Sequence, residues 1–249
     1  SSKTKRRIRA AEWVTFGIVA AAMVGVHLMF FFWPFRYREV HPLLEQIFES
    51  QVEVHGYHRT YFPHPGFVAD HVTFYRHGDR SIPPLATIDR MQVVGHWTTS
   101  VFHPHRLNRI LLSGLHVQIP PPGTRARGMD FDGGVISTSQ SELQIETIAA
   151  DGTTLDFLQH GQPPMRFQFT ELQIHEVEKN SPLQFDLRVK IPGPPGTVVA
   201  RGRLGPLRTT SYATTPMAGT YQLLEADLSR LAGVSGHATA EGRFGGTFA

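Results

Sequence analysis

The sequence predicts a mainly β protein: an N-terminal transmembrane helix, then a short juxtamembrane helix and an elongated antiparallel β-sheet. Three observations predict this. Residues 13–33, WVTFGIVAAAMVGVHLMFFFW, hold no Asp, Glu, Lys or Arg, and Trp closes each end. A helix of that length spans about 30 Å, the thickness of a hydrocarbon core, with its indole rings at headgroup depth. From Val52 onward the apolar period is two, broken by Gly/Pro turns, with no long helical pattern.

Charge orients the span. The formal net charge is +3. Lys3, Lys5, Arg6, Arg7 and Arg9 against Glu12 give residues 1–12 a charge of +4, which leaves −1 for residues 13–249. Basic residues ahead of a span hold that end in the cytoplasm. The expected topology is therefore single-pass, with the N-terminus in the cytoplasm and the bulk of the chain outside, which in a bacterium means the periplasm. The basic pI reports the leader, so the folded part lacks the basic character of a nucleic-acid binder. A cleavable signal peptide fits poorly, because the apolar run is too long and Trp33-Pro34-Phe35-Arg36 is a poor cleavage site. Cysteine is absent, which excludes disulfides and thiol chemistry.

The expected order is a basic cytoplasmic leader (1–12), the transmembrane helix (13–35), a short juxtamembrane helix (36–50), a first β unit (51–119), a loop or linker (120–141) and a second β unit (142–249). In VHPLLEQIFES, residues 40–50, Pro42 suits a first helical turn, and Leu43, Leu44, Ile47 and Phe48 share a face. QVEVHGYHRTYF alternates until Pro63, Pro65 and Gly66 break it; FVADHVTFYR resumes, and LATIDRMQVVGHW is a further strand. RILLSGLHVQIPPP places Leu115, Val117 and Ile119 on one face. Residues 120–141 are rich in Pro, Gly and Ser, as a loop requires. SELQIETIAADGTTLDFLQHG, with Leu155 and Phe157, reads as two strands around an Ala150-Asp151-Gly152 hairpin signal. MRFQFTELQIHEVE shows Phe167 and Phe169, then Leu172 and Ile174. In SPLQFDLRVKI, Phe185, Leu187 and Val189 alternate with charged residues, the pattern of a sheet with one solvated face. GPPG at 193–196 turns, DLSRLAG is a short helix or turn with Asp227 as N-cap, and VSGHATAEGRFGG is a last strand. The chain reads as part of a longer one.

No catalytic motif stands out. His55, His58, His64, His71 and His77 cluster, and His103 and His105 follow, yet no H-E-x-x-H pairs them and no cysteine helps, so surface histidines are expected. DFDGG at 130–134 lacks the closing Glu of a Ca²⁺ loop, Ser139 standing in its place. Neither G-x-S-x-G nor a phosphate loop occurs. We expect no enzyme, no cofactor, no metal and no nucleic-acid partner. His27 within the span reads as a tolerated neutral residue. The alternating rows leave two readings open: a closed core, or an open apolar surface that lipid chains cover.

The order of pieces resembles the N-terminal part of AsmA-family proteins (the AsmA/TamB/YhdP-like group). The match runs through the basic leader, one span and VHPLLEQIFES. It continues with Tyr61-Phe62-Pro63-His64-Pro65-Gly66 before FVADHVTF, then a P-L-A-x-I-D-R strand from Pro84, and an L-x-G-L-x-V-x-I strand from Leu112 to Ile119. IETIAADGTTLDF, RGRLGPL and ADLSRLAGVSGHATAEGRF extend it. The resemblance implies an inner-membrane anchor, phospholipid as partner, possible envelope protein partners, and transport of lipid between membranes in outer-membrane biogenesis without catalysis. It also implies that the elongated antiparallel sheet is curved and groove-like, with a groove lined by Leu115, Val117, Ile119, Leu155, Phe157, Phe167, Phe169, Leu172, Ile174, Phe185, Leu187 and Val189. The alternative is a tethered structural β domain that scaffolds or regulates an envelope complex.

Overall fold

Among the described residues, twelve strands form one mixed sheet. The computed structural model describes residues 19–21, 23–25, 27, 35–48, 51–75, 83–97, 106–119, 144–159, 161–178, 181–206, 214–230 and 234–247. The chain divides into two compact units, Ser1–Arg36 and Tyr37–Ala249. The expected transmembrane helix lies largely outside the described residues; 19–21, 23–25 and 27 are helical. Among the described residues, no helix is long and apolar enough to cross a membrane. The expected linker, the Ca²⁺-like DFDGG, His77, His103 and His105 also lie outside them.

The second unit opens with α1 (Tyr37–Phe48). Its start corrects the sequence reading: Pro42 sits inside the helix and not in its first turn. Proline there removes one intrahelical donor, and contacts with β1 (Gln51–Thr60) favour the helix instead. The Tyr37 ring lies 5.2 Å from that of Tyr57, edge on. His41 Nε2 is 2.9 Å from the Val52 carbonyl oxygen, and the Val52 N–H donates to Glu45 Oε1 at 3.5 Å. Residues at i, i+4 and i+8 thus follow β1, so α1 satisfies polar groups of an edge strand. Tyr57 also stacks on Phe67 at 5.1 Å, and its burial pushes the phenol pKa up, which keeps it neutral.

β2 (Gly66–Tyr75) and β3 (Ala86–Val94) follow as antiparallel neighbours. This end holds the densest core: Phe67, Ala69, Val72, Phe74, Ile88, Met91 and Val93 are all buried, Val72 completely. β4 (Arg106–Ser113) and β5 (His116–Ile119) both pair with β3 in one unbroken register. β6 (Gln144–Asp151) and β7 (Thr153–Gln159) run parallel to β4 and β5 respectively. The sheet is therefore mixed, a correction to the antiparallel expectation. A strand pair this far apart in sequence needs no hairpin, so the returning chain is free to run parallel.

The Ala150-Asp151-Gly152 signal is corrected too. β6 and β7 do not pair with each other; they lie in line, and both pair with the long β8 (Gln162–Val177). Gly152 (φ 64°) makes a kink, not a hairpin. Two other left-handed residues share its level, Gly114 (φ 65°) between β4 and β5 and His71 (φ 50°) in β2. The register carries this line through Asp89 in β3 to Thr170 in β8. Across it the buried residues change parity: Phe67 and Ala69 give way to Val72 and Phe74, and Ile88 to Met91 and Val93. Left-handed residues in β2, between β4 and β5 and between β6 and β7 stand at this common level, where the strands change phase while the ladder stays in register. The line ends where β8 meets β9 (Leu183–Pro192). There the register shifts between Phe169 and Glu171, and only β8 carries the extra residue.

β9, β10 (Pro195–Leu204), β11 (Pro216–Asp227) and β12 (His237–Thr247) complete an antiparallel meander. The Gly/Pro turn at 193–194 joins β9 to β10 as expected. DLSRLAG forms the short 3-10 turn Leu228–Arg230, where the Ser229 N–H donates to Asp227 Oδ1 at 2.9 Å.

Gly114 and Gly161 provide a test of the kink line. Both have φ near +65°, but a Cβ on Gly114 would lie 2.0 Å from Asp89 Oδ2, whereas Gly161 has nothing within 4 Å. Gly161→Ala should cost roughly 1–2 kcal/mol for the left-handed backbone alone. Gly114→Ala should cost at least about 1 kcal/mol more from overpacking, and Asp89→Gly should narrow the gap. Urea denaturation of the chain in neutral detergent measures all three; equal costs would refute close packing at the line.

Candidate functional site: an apolar sheet face backed by a charged one

Directly paired residues in a sheet share a face, and alternate residues along a strand share it too. These two rules place all twelve residues nominated from the sequence. Val117 pairs with Leu155 and Leu155 with Phe167; Ile119 pairs with Phe157. Leu115 continues the β5 alternation. Phe169 pairs with Val189, Leu172 with Leu187 and Ile174 with Phe185. In β8 the unmatched Thr170 is what brings Phe167 and Phe169 to the same side as Leu172 and Ile174, although their parities differ. The Phe157 and Phe167 rings meet edge to face at 5.5 Å, as cross-strand neighbours on one face do.

Burial distinguishes this surface from the β1–β3 end. Of the twelve residues, Val189 alone is buried and the other eleven are half-buried. Among the described residues, no second sheet lies over them.

The same face continues into residues the sequence reading did not single out. Val198, Ala200 and Gly202 pair with Val189, Leu187 and Phe185. Leu223, Tyr221 and Gly219 come next, then Ala240, Gly242 and Phe244. Here aromatic rings cover glycines. A Cβ on Gly202 would lie 2.9 Å from Phe185 Cζ, and one on Gly219 2.7 Å from Phe244 Cζ. The two rings stack at 6.4 Å. A glycine opposite each phenylalanine was the available signal, since a ring laid across a strand fits only where no side chain stands. Met165, opposite Phe157, joins the face and is 40% exposed. Thr153, opposite Phe169, is buried in the same row, and its Oγ1 has no hydrogen-bond partner among the described residues.

The opposite face is held by ion pairs. Asp156 is 2% exposed. Arg166 grips it in a fork, with Nε 2.7 Å from Oδ1 and a terminal nitrogen 2.8 Å from Oδ2. His116 Nε2 lies 2.9 Å from the same Oδ2. The bonds from Arg166 hold the Asp156 carboxyl at a pKa of about 2, well below the usual range, and the Arg166 guanidinium is raised in turn. This clasp joins β5, β7 and β8. Further along, Asp186 pairs with Arg201 at 2.7 Å and stands 3.9 Å from His175. Two cavities open near the charged groups. One of about 370 Å³ is lined by His96, Arg106, Asn108, Glu146, Glu176 and Glu178 among others. The second, of about 650 Å³, lies over β9–β12.

The histidine cluster is dispersed: His55, His58, His64 and His71 are all exposed, and His55 Nδ1 lies 3.3 Å from the His71 carbonyl oxygen. Among the described residues, no group of three or more His, Cys, Asp and Glu is arranged to hold a metal ion. No protein-family model matches the chain, and a search of curated proteins returns no match.

The depressed Asp156 pKa predicts a pH dependence. A carboxylate whose pKa falls on folding contributes stability above its unfolded value, near 4, and loses it as pH drops toward about 2. Asp156→Asn should cost about 1–3 kcal/mol at pH 7 and flatten the stability profile between those limits. Denaturant titrations from pH 7 to 2 measure this; an unchanged acid limb in the variant would show that the clasp carries no linkage.

Proposed function

We propose that this is an inner-membrane-anchored, periplasm-facing protein of AsmA type that handles or transports phospholipid in envelope biogenesis, without catalysis. One observation carries the reading: the twelve nominated residues fall on one face of one sheet, eleven of them half-buried, with no second sheet over them among the described residues. Such a surface needs a cover. Acyl chains provide one, each methylene removed from water contributing about 0.8 kcal/mol. A row of similar apolar sites lets a chain slide with little barrier, while headgroups stay in water. No bond is made or broken in this process.

The span at 13–33 would hold the protein at the bilayer, and α1 and β1 follow it directly in the chain. A tethered scaffold is the second reading. The closed packing of Phe67, Val72, Phe74 and Met91 favours it for the β1–β3 end, where little apolar surface remains to be covered.

Native mass spectrometry of the detergent-purified chain tests the proposal. Co-purifying phospholipid is expected in near-stoichiometric amount. Val117→Asp and Leu187→Asp should each lose the lipid and keep the wild-type circular-dichroism spectrum, because a half-exposed charge remains hydrated. Val72→Asp, at a completely buried position, should unfold the chain. Unfolding by all three variants, or a well-folded lipid-free wild type, would favour the scaffold.

A further inference from the structure

We propose that the charged face of β9–β12 carries a second site, one that binds a phosphoryl group between Arg188, Arg201 and Arg243. The site lies on the side of the sheet opposite Leu187 and Phe185 and goes beyond the lipid-handling reading.

Register assembles it. Arg201 pairs with Thr220, and Thr220 with Arg243, so the two arginines flank a hydroxyl on one row. Arg188 pairs with Val199, Val199 with Gln222 and Gln222 with Glu241, which forms the neighbouring row on the same face. With strands about 4.8 Å apart and alternate residues about 6.7 Å apart, Arg201 stands between the other two arginines. All seven residues line the cavity of about 650 Å³.

Charge matches this geometry. Along β9–β12, up to the β11 irregularity at Glu225, this face carries Arg188, Lys190, Arg201, Arg203 and Arg243 against Asp186 and Glu241, a net +3. Residues 13–249 together carry −1, so positive charge is concentrated here. Asp186 engages Nε of Arg201 at 2.7 Å and orients the guanidinium, and the Arg201 side chain remains 77% exposed. Among the described residues, Arg188 and Arg243 have no carboxylate within ion-pair distance. Planar guanidinium forks suit the paired oxygens of a phosphate, and Thr220 and Gln222 add a hydroxyl and an amide donor. The ligand is a phosphate ester or diphosphate, either free in solution or as a lipid headgroup.

The test uses the full chain in neutral detergent micelles. In one arm, inorganic pyrophosphate is titrated by calorimetry. In the other, the micelles are doped with phosphatidylglycerol or, as a control for the acyl chains, phosphatidylcholine. Arg188→Gln with Arg243→Gln should weaken binding by about tenfold or more, and Arg59→Gln, on exposed β1, should leave it unchanged. The single variants, each with a smaller loss, serve if the double variant loses its wild-type circular-dichroism spectrum. Pyrophosphate binding assigns the site to free phosphoryl ligands; preference for phosphatidylglycerol alone assigns it to headgroups. Binding in neither arm, or binding that the arginine variants leave intact, overturns the proposal.

Discussion

A sheet has two faces, and in this protein one of them is apolar across strand after strand. Every other feature answers to that constraint. At about 25 cal/mol per Å² of apolar surface removed from water, an uncovered face is a standing cost, and the chain meets it unevenly. At the β1–β3 end Val72 and Phe74 are removed from water almost completely. From β5 to β9 eleven of the twelve nominated residues stay half-buried. One surface thus runs from closed to half-exposed along the sheet, and the proposed lipid handling rests on that gradient.

Keeping that face continuous requires more than alternation. The line through His71, Gly114, Gly152 and Thr170 shifts the phase of each strand it crosses, so apolar residues three apart in sequence remain on one side. The Asp156 clasp lies just beyond that line on the other face and joins β5, β7 and β8 through Arg166 and His116. Strands that turn together at one level are thus tied together beside it. Past β9 the device changes. Phe185 and Phe244 lie across Gly202 and Gly219, so rings carry the apolar surface over strands whose own residues are small.

The two faces also divide the chemistry. Apolar contact on one side is non-directional and tolerant of many chains, whereas the arginine rows on the other offer directed, charge-assisted bonds. Because paired residues share a face and neighbours along a strand do not, Leu187 and Arg188 are adjacent in sequence yet serve opposite surfaces. A substitution at one need not disturb the other, and so the two proposed sites can be tested separately.

Much of this was legible in the residues themselves. The strict alternation of Phe185, Leu187 and Val189 with charged residues determined β9 and its two faces; Gly/Pro at 193–194 determined its turn, and Asp227 the 3-10 turn after β11. These are local rules, in which a side chain's neighbours along the chain are also its neighbours in space. Three features escaped such rules. Pro42 entered a helix because β1 holds that helix through Tyr37, His41 and Glu45. Ala150-Asp151-Gly152 reads as a hairpin, yet Gly152 only kinks the line of β6 and β7; β4 and β5, remote in sequence, pair along one side of it, and the hairpin falls instead between β7 and β8. The phase shift at Thr170, which unites Phe167 and Phe169 with Leu172 and Ile174, depends on β9 lacking a matching residue. Composition and periodicity by themselves determined that there would be strands with an apolar side. Only the tertiary structure decided which strands pair, in which direction and at which register, because pairing is settled by contacts between residues far apart in the chain.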